Sequence, residues 1–170
     1  MQRPLKNEYN PTYQKYFDLV PDGDYLNVLQ QNTKNAIAFF ESIPIEKYDY
    51  KYAPTKWTVK ELLMHIIDTE RVFAIRGLMA ARGDHTSPIH RMDEELYARN
   101  VVVTDRTMAN LLKEFIIVRN STEILFENFT EEQSRLFCNI ISHPMTTRAI
   151  GYFIIGHLNH HINVIKERYL

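Results

Sequence analysis

Ile150-Gly151-Tyr152-Phe153-Ile154-Ile155-Gly156-His157-Leu158-Asn159-His160-His161-Ile162-Asn163-Val164-Ile165-Lys166-Glu167-Arg168-Tyr169-Leu170 reads as one helix. No proline interrupts it, although Gly151 and Gly156 weaken it locally. Residues four apart on a helix lie about 40° apart around the axis and about 6 Å along it. His157 and His161 therefore project from one face and can share a metal ion. His160 lies about 60° to the other side of His157 and is a less natural partner. Two imidazoles do not make a protein metal site. The third candidate is His65, in Lys60-Glu61-Leu62-Leu63-Met64-His65-Ile66-Ile67-Asp68. The rest of the chain then reads as a helical scaffold that brings these two helices face to face.

A chain of 170 residues is expected to be one domain, residues 1–170, with a core of its own. The net charge is −1, so the clustered basic excess of a nucleic-acid binder is missing. The N-terminus carries no apolar signal core, and Ala149 to Ile155 is far too short to span a membrane. Cys138, the single cysteine, cannot form an internal disulfide and fits a reducing compartment as a small buried residue. A soluble cytoplasmic protein is expected. Four of the seven histidines fall between Ile141 and Asn163, which reinforces the choice of the last helix as the starting point.

Four long helices are expected. Tyr9, Tyr13, Tyr16 and Phe17 first form an aromatic N-terminal arm that should pack on something. Asp22 or Asp24 caps the first helix, whose Leu26, Leu29, Ala36, Ile37 and Phe40 follow helical spacing and which Pro44 ends. Thr58-Val59-Lys60-Glu61 is a capping box, with Trp57 and Leu62 placed to form a hydrophobic staple across it. The second helix runs to about Arg82, with His65, Thr69, Val72 and Arg76 sharing a face with Leu62. Gly83 to Val103 is a long connection of the kind that often covers a site, with a short helix at Asp93 to Arg99. Thr104 is the expected cap of the third helix, whose apolar stripe runs from Met108 to Phe129. Thr130-Glu131-Glu132-Gln133 opens a short turn of helix. Leu136 to Met145 reads as irregular, and Thr146 or Thr147 caps the fourth helix. Nothing reads as a strand pair. The result is an all-α four-helix bundle.

Each chemical signal has a plainer alternative. His65 alone also fits a hydrogen-bonded core histidine, and exposed histidines give the same His-x-x-x-His spacing by chance. Trp57 reads as staple and core, and Glu61 as a cap. Asp68, one turn from His65, could orient that imidazole or simply pair with Arg71. Other metal motifs are missing: no histidine precedes a glutamate as in His-Glu-x-x-His, and the pair of Glu-x-x-His helices of a di-iron site does not occur. What survives is three neutral imidazoles around one divalent ion, with a position open for water or substrate.

The chain resembles the DinB-like (YfiT-like) metal-dependent hydrolase superfamily. The resemblance runs over Glu8-Tyr9-Asn10-Pro11 with Leu19-Val20-Pro21-Asp22-Gly23-Asp24, and Tyr52-Ala53-Pro54-Thr55-Lys56-Trp57-Thr58-Val59-Lys60-Glu61. It continues through His65-Ile66-Ile67-Asp68-Thr69-Glu70-Arg71, Ala81-Arg82-Gly83-Asp84, and Gly156-His157 through His160-His161 to Tyr169-Leu170. It implies an up-up-down-down bundle and a homodimer. It also implies a divalent metal, zinc or nickel, on the positions matching His65, His157 and His161. Characterised relatives include transferases and isomerases that use a low-molecular-weight thiol: bacillithiol, mycothiol or glutathione. Relatives often carry a Pro-Leu-Pro-Gly-like stretch where this chain has Ser87-Pro88-Ile89-His90-Arg91-Met92, so a roof formed there would select a different substrate. His85 or His90 in that connection could also reach the metal.

The expectation is a metal-dependent hydrolase or thiol-dependent S-transferase acting on a small molecule, with neither nucleic acid nor membrane as partner. The alternative is a non-catalytic, metal-stabilised or stress-associated binding protein. A fourth protein ligand, from His85, His90 or His160, would favour that alternative by closing the coordination shell. Ordinary histidines titrate near 6.5, so a three-histidine site should release its ion between about pH 6 and 5.

Overall fold

The computed structural model describes residues 1–84, 86–89, 91–138 and 144–170. The arm contains a 3-10 turn at Pro11–Tyr13 and a single helical turn, α1 (Gln14–Phe17). The Asp24 carboxylate accepts the Asn27 N–H and starts α2 (Tyr25–Ser42), which ends before Pro44. Both halves of the Thr58/Glu61 capping box are made at the head of α3 (Val59–Ala81). Gly83, at φ +69°, takes the left-handed conformation that follows a helix end at little cost to glycine. Asp93 caps α4 (Glu94–Asn100) inside the long connection, where the short helix was expected.

α5 (Met108–Glu127) starts later than the sequence suggested, because its cap is Thr107 rather than Thr104. The Thr104 carbonyl instead accepts a bond from Lys60 Nζ at 3.1 Å, and Arg106 N–H turns back onto Val103. The Arg106–Val103 bond closes a turn over residues 103–106, so Thr104 lies outside the helix. Thr130 and Gln133 box the short α6 (Glu131–Ser134), and Thr146 caps α7 (Thr147–Arg168). The irregular stretch between them does hold a strand pair: β1 (Phe137–Cys138) runs antiparallel to β2 (Met145–Thr146). Two-residue strands carry no alternation that could reveal them in a sequence.

The long helices form a four-helix bundle. α3 packs on α7 and α5, and α2 packs on α5 and α7. The consecutive pairs α2/α3 and α5/α7 therefore sit on the diagonals, the neighbour pattern of an up-up-down-down bundle. A buried polar chain touches all four. Arg119 on α5 grips Glu70 on α3 (2.8 Å) and donates to Asn32 on α2 (2.9 Å). Asn32 donates to Asn159 on α7 (2.8 Å), and Asn159 donates to the Leu19 carbonyl of the arm (2.9 Å). A charge pair of this kind tolerates few alternative packings, because an unpaired buried charge is costly. Asn159 sits between His157 and His161, so the same chain fixes the rotation of the helix that carries them.

Glu8 and Arg148 form a second buried pair, which ties the arm to the first turn of α7. Two apolar clusters fill the interior, one around Tyr25, Phe126 and Phe153, the other around Phe40, Leu63 and Phe115. His157 falls between Phe153 and Leu158, where the two clusters meet along α7. Among the described residues no helix is long and apolar enough to cross a membrane.

Candidate metal centre

α3 and α7 are packed neighbours, and that contact brings the three histidines together. The Nε2 atom of His157 lies 3.2 Å from that of His65 and 3.0 Å from that of His161. Ligand atoms of all three lie within 4.8 Å of one another. His65 and His157 are buried and His161 is half-buried.

The protonation state follows from burial. Desolvation pushes the His65 pKa down to about 4. His157 and His161 are held well below 6.5, first by burial and then by the positive charge of neighbouring histidines and Lys15. At neutral pH all three rings are uncharged, the form that ligates metals. A ring nitrogen offers one proton or one lone pair in its plane, so His157 Nε2 cannot bond in line to both neighbours at once. A cation at the point of convergence accepts all three lone pairs. Tetrahedral coordination with metal–nitrogen bonds of about 2.0–2.1 Å would need nitrogens about 3.3 Å apart, close to the two shortest separations here. The residues fit a divalent ion.

Three neutral donors leave the charge of such an ion uncompensated. His160 is not part of the cluster; its ring stands edge-on to Tyr16 with centroids 5.3 Å apart. His85 and His90 lie outside the described residues. Asp68 makes its ion pair with Arg71 (3.4 Å) and has no hydrogen bond to His65 among the described residues. His161 Nδ1 is buried without a partner, so no hydrogen bond at that nitrogen helps to orient the ring.

The histidines form one end of a cavity of about 500 Å³. The sequence reading treated two of its other walls, the arm and Trp57, as packing. Tyr16 and Tyr13 of the arm stand edge-on against Phe153, with centroids 5.1 and 5.3 Å away, and both line the cavity. Trp57 lies 4.8 Å from the His65 ring and also faces the cavity. The long connection contributes Arg91, Met92 and Glu94, so it does cover part of the site. Signals for two walls were present: Phe153 precedes His157 by one helical turn, and Arg76 shares the His65 face. The arm carried no such signal, because Gly156 is what admits it. A Cβ on Gly156 would stand 2.1 Å from the Tyr16 carbonyl oxygen.

Cys138 is fully buried and its thiol is pushed up to about 11 by that burial, which makes it a poor nucleophile.

The DinB superfamily model matches residues 29–165. No curated protein matches the chain. Among solved structures, YfiT from Bacillus subtilis, described as a probable metal-dependent hydrolase with an unusual four-helix bundle topology, superposes with a TM-score of 0.69 at 18% identity, covering 98% of this chain and 90% of that one. A DinB-like protein from Bacillus subtilis, YjoA, superposes with a TM-score of 0.59 at 20% identity, covering 85% of this chain and 88% of that one. At such identities the likeness carries the fold alone. The family match spans most of the sequence, including all three clustered histidines, and this chain belongs to the DinB superfamily.

Proposed function

We propose that the chain is a metal-dependent enzyme in which His65, His157 and His161 hold one divalent ion, zinc or nickel. Its reaction on a small molecule is either hydrolysis or transfer to a low-molecular-weight thiol. One observation carries this reading: three Nε2 atoms converge on the wall of an open cavity. The description of YfiT as a probable metal-dependent hydrolase supports the same reading. The compartment that suits the buried, single Cys138 is a reducing cytoplasm.

When bound, the ion supplies Lewis acidity, lowering the pKa of a water or thiol so that its anion is available near neutral pH. The protein's own part is to keep the three imidazoles neutral and convergent by burial. Tyr13, Tyr16, Trp57 and Phe153 narrow the cavity and exclude bulk water, which strengthens electrostatic interactions inside it. Among the described lining residues Glu94 is the only carboxylate. The chemistry asked of the protein is therefore to position reactants rather than to supply a strong base.

Metal analysis of natively purified protein, followed by thiol-transfer and ester- or amide-hydrolysis screens on the same sample, tests this. The expected result is one zinc or nickel per chain and turnover that chelator abolishes. Metal-bound protein inert in every screen would favour the non-catalytic alternative.

A further inference from the structure

Thr69 follows His65 by one turn of α3, so the two side chains share a face, and both line the cavity. Thr69 is only 5% exposed. A threonine inside a helix can turn its hydroxyl back onto the carbonyl four residues earlier. Thr33 does so onto Leu29 (2.9 Å), and Thr122 onto Val118 (3.1 Å). Thr69 makes no such bond to the His65 carbonyl among the described residues. Its hydroxyl is turned instead to the Met92 sulfur of the long connection, at 3.9 Å. A thioether is a weak acceptor, and at that distance the hydroxyl proton is nearly unused. A buried donor left in this state costs free energy, and an oxygen that takes the proton offsets that cost.

We propose that Thr69 binds the substrate: its hydroxyl donates a hydrogen bond to an oxygen of the molecule held at the histidines. The group it fits is a neutral carbonyl-type acceptor, as in a small ester, amide or hydroxamate. The hydroxyl brings a dipole without a charge, and Met92 and Phe73, its neighbours along the cavity wall, are apolar. An uncharged acceptor is matched there, whereas a carboxylate would lose its hydration for a single bond. This rests on the reading of the cavity as the site of a metal-dependent reaction. It adds a substrate-binding residue and a substrate class to that reading.

The test uses zinc-loaded wild type, Thr69→Val and Thr69→Ser, each titrated calorimetrically with two probes. Acetohydroxamate binds a divalent ion and carries oxygens that accept hydrogen bonds. 1-Methylimidazole binds the ion through one ring nitrogen and offers no further donor or acceptor. Thr69→Val, similar in shape but without the hydroxyl, is expected to bind acetohydroxamate about three- to tenfold more weakly. Thr69→Ser should bind it nearly as wild type does. 1-Methylimidazole should bind all three alike, and zinc content should be the same. The thermal midpoint of Thr69→Val should be no lower than that of wild type, because no backbone bond is lost. Unchanged acetohydroxamate binding in Thr69→Val, or equal weakening of both probes, overturns the proposal and leaves the metal site standing. A lowered Thr69→Val midpoint that Thr69→Ser restores also overturns it, by making the hydroxyl structural. Wild type that takes up no zinc would instead remove the metal-centre reading and the proposal together.

Discussion

Trp57 rests its indole against the imidazole of His65, with ring centroids 4.8 Å apart. The residue that precedes the α3 capping box thus also forms one side of the metal-centre candidate. Its backbone carbonyl accepts the Tyr169 hydroxyl at 2.7 Å, which joins the start of α3 to the end of α7. That bond survives a side-chain replacement, so the effect of the ring can be isolated.

Trp57→Ala removes the wall that fixes the His65 ring. Hydrogen-bonded supports of ligating histidines cost about 10–100-fold in metal affinity when lost, and a ring packed on the imidazole is set at the low end of that range. The expected result is metal binding weaker by about tenfold, with Trp57→Phe restoring most of it. Competition with a chromophoric chelator measures this. Unchanged affinity in Trp57→Ala would reduce the indole to packing.

Gly156→Ala puts a methyl into the Tyr16 carbonyl. Backbone cannot rotate away as a side chain can, so the arm has to lift from α7. Overpacking of this sort costs roughly 1–3 kcal/mol, which for a chain of this size is a midpoint lower by about 2–12 °C. Tyr16 should become more accessible, read by hydrogen exchange over residues 9–20. A variant as stable and as protected as wild type would contradict the close approach.

The pH dependence differs from what histidine spacing alone implied. Burial holds His65 down to about 4 and the other two well below 6.5. Protons therefore compete with an ion for the folded site at lower pH than the ordinary histidine range. In the unfolded chain the same residues take up protons near 6.5. Since the unfolded state binds more protons below that value, metal-free protein has its full stability above pH 6.5 and loses it as pH falls towards about 4. Thermal melts with and without chelator check both points. Chelator should lower the midpoint at pH 7.5 and still do so at pH 6, because an ion that binds only the folded state adds stability by mass action. Metal-free midpoints should fall steadily from pH 6.5 to 4, with the transition remaining cooperative at pH 7.5. A flat metal-free profile across that window would mean the histidines are not buried neutral.

The homodimer implied by the family resemblance is predicted to appear as a doubled mass in light scattering at micromolar concentration. The aromatic arm does not argue for it, since Tyr13 and Tyr16 are used against Phe153 of their own chain. A clean monomer mass would remove the prediction.

The bundle was legible because its signals are local. Capping boxes, helical spacing and the Asp24 cap lie within a few residues of the structure they determine. The histidine trio was half legible: one turn separates His157 from His161, whereas His65 had to be chosen as a partner 92 residues away. Contacts that join distant segments left no local pattern. The Glu70–Arg119–Asn32–Asn159 chain looks like four unrelated surface residues until the helices are packed. The arm's place in the cavity depends on a missing side chain at Gly156. The Thr104 cap failed because Thr107, three residues on, offers the same side-chain cap and the helix starts there.

Metal content of purified protein against four single variants tests the central claim most directly. Wild type and His160→Ala are predicted to carry one divalent ion per chain, and His65→Ala, His157→Ala and His161→Ala to carry little or none. Loss of the ion in His160→Ala alone, or full occupancy in His65→Ala, would contradict the three-histidine centre.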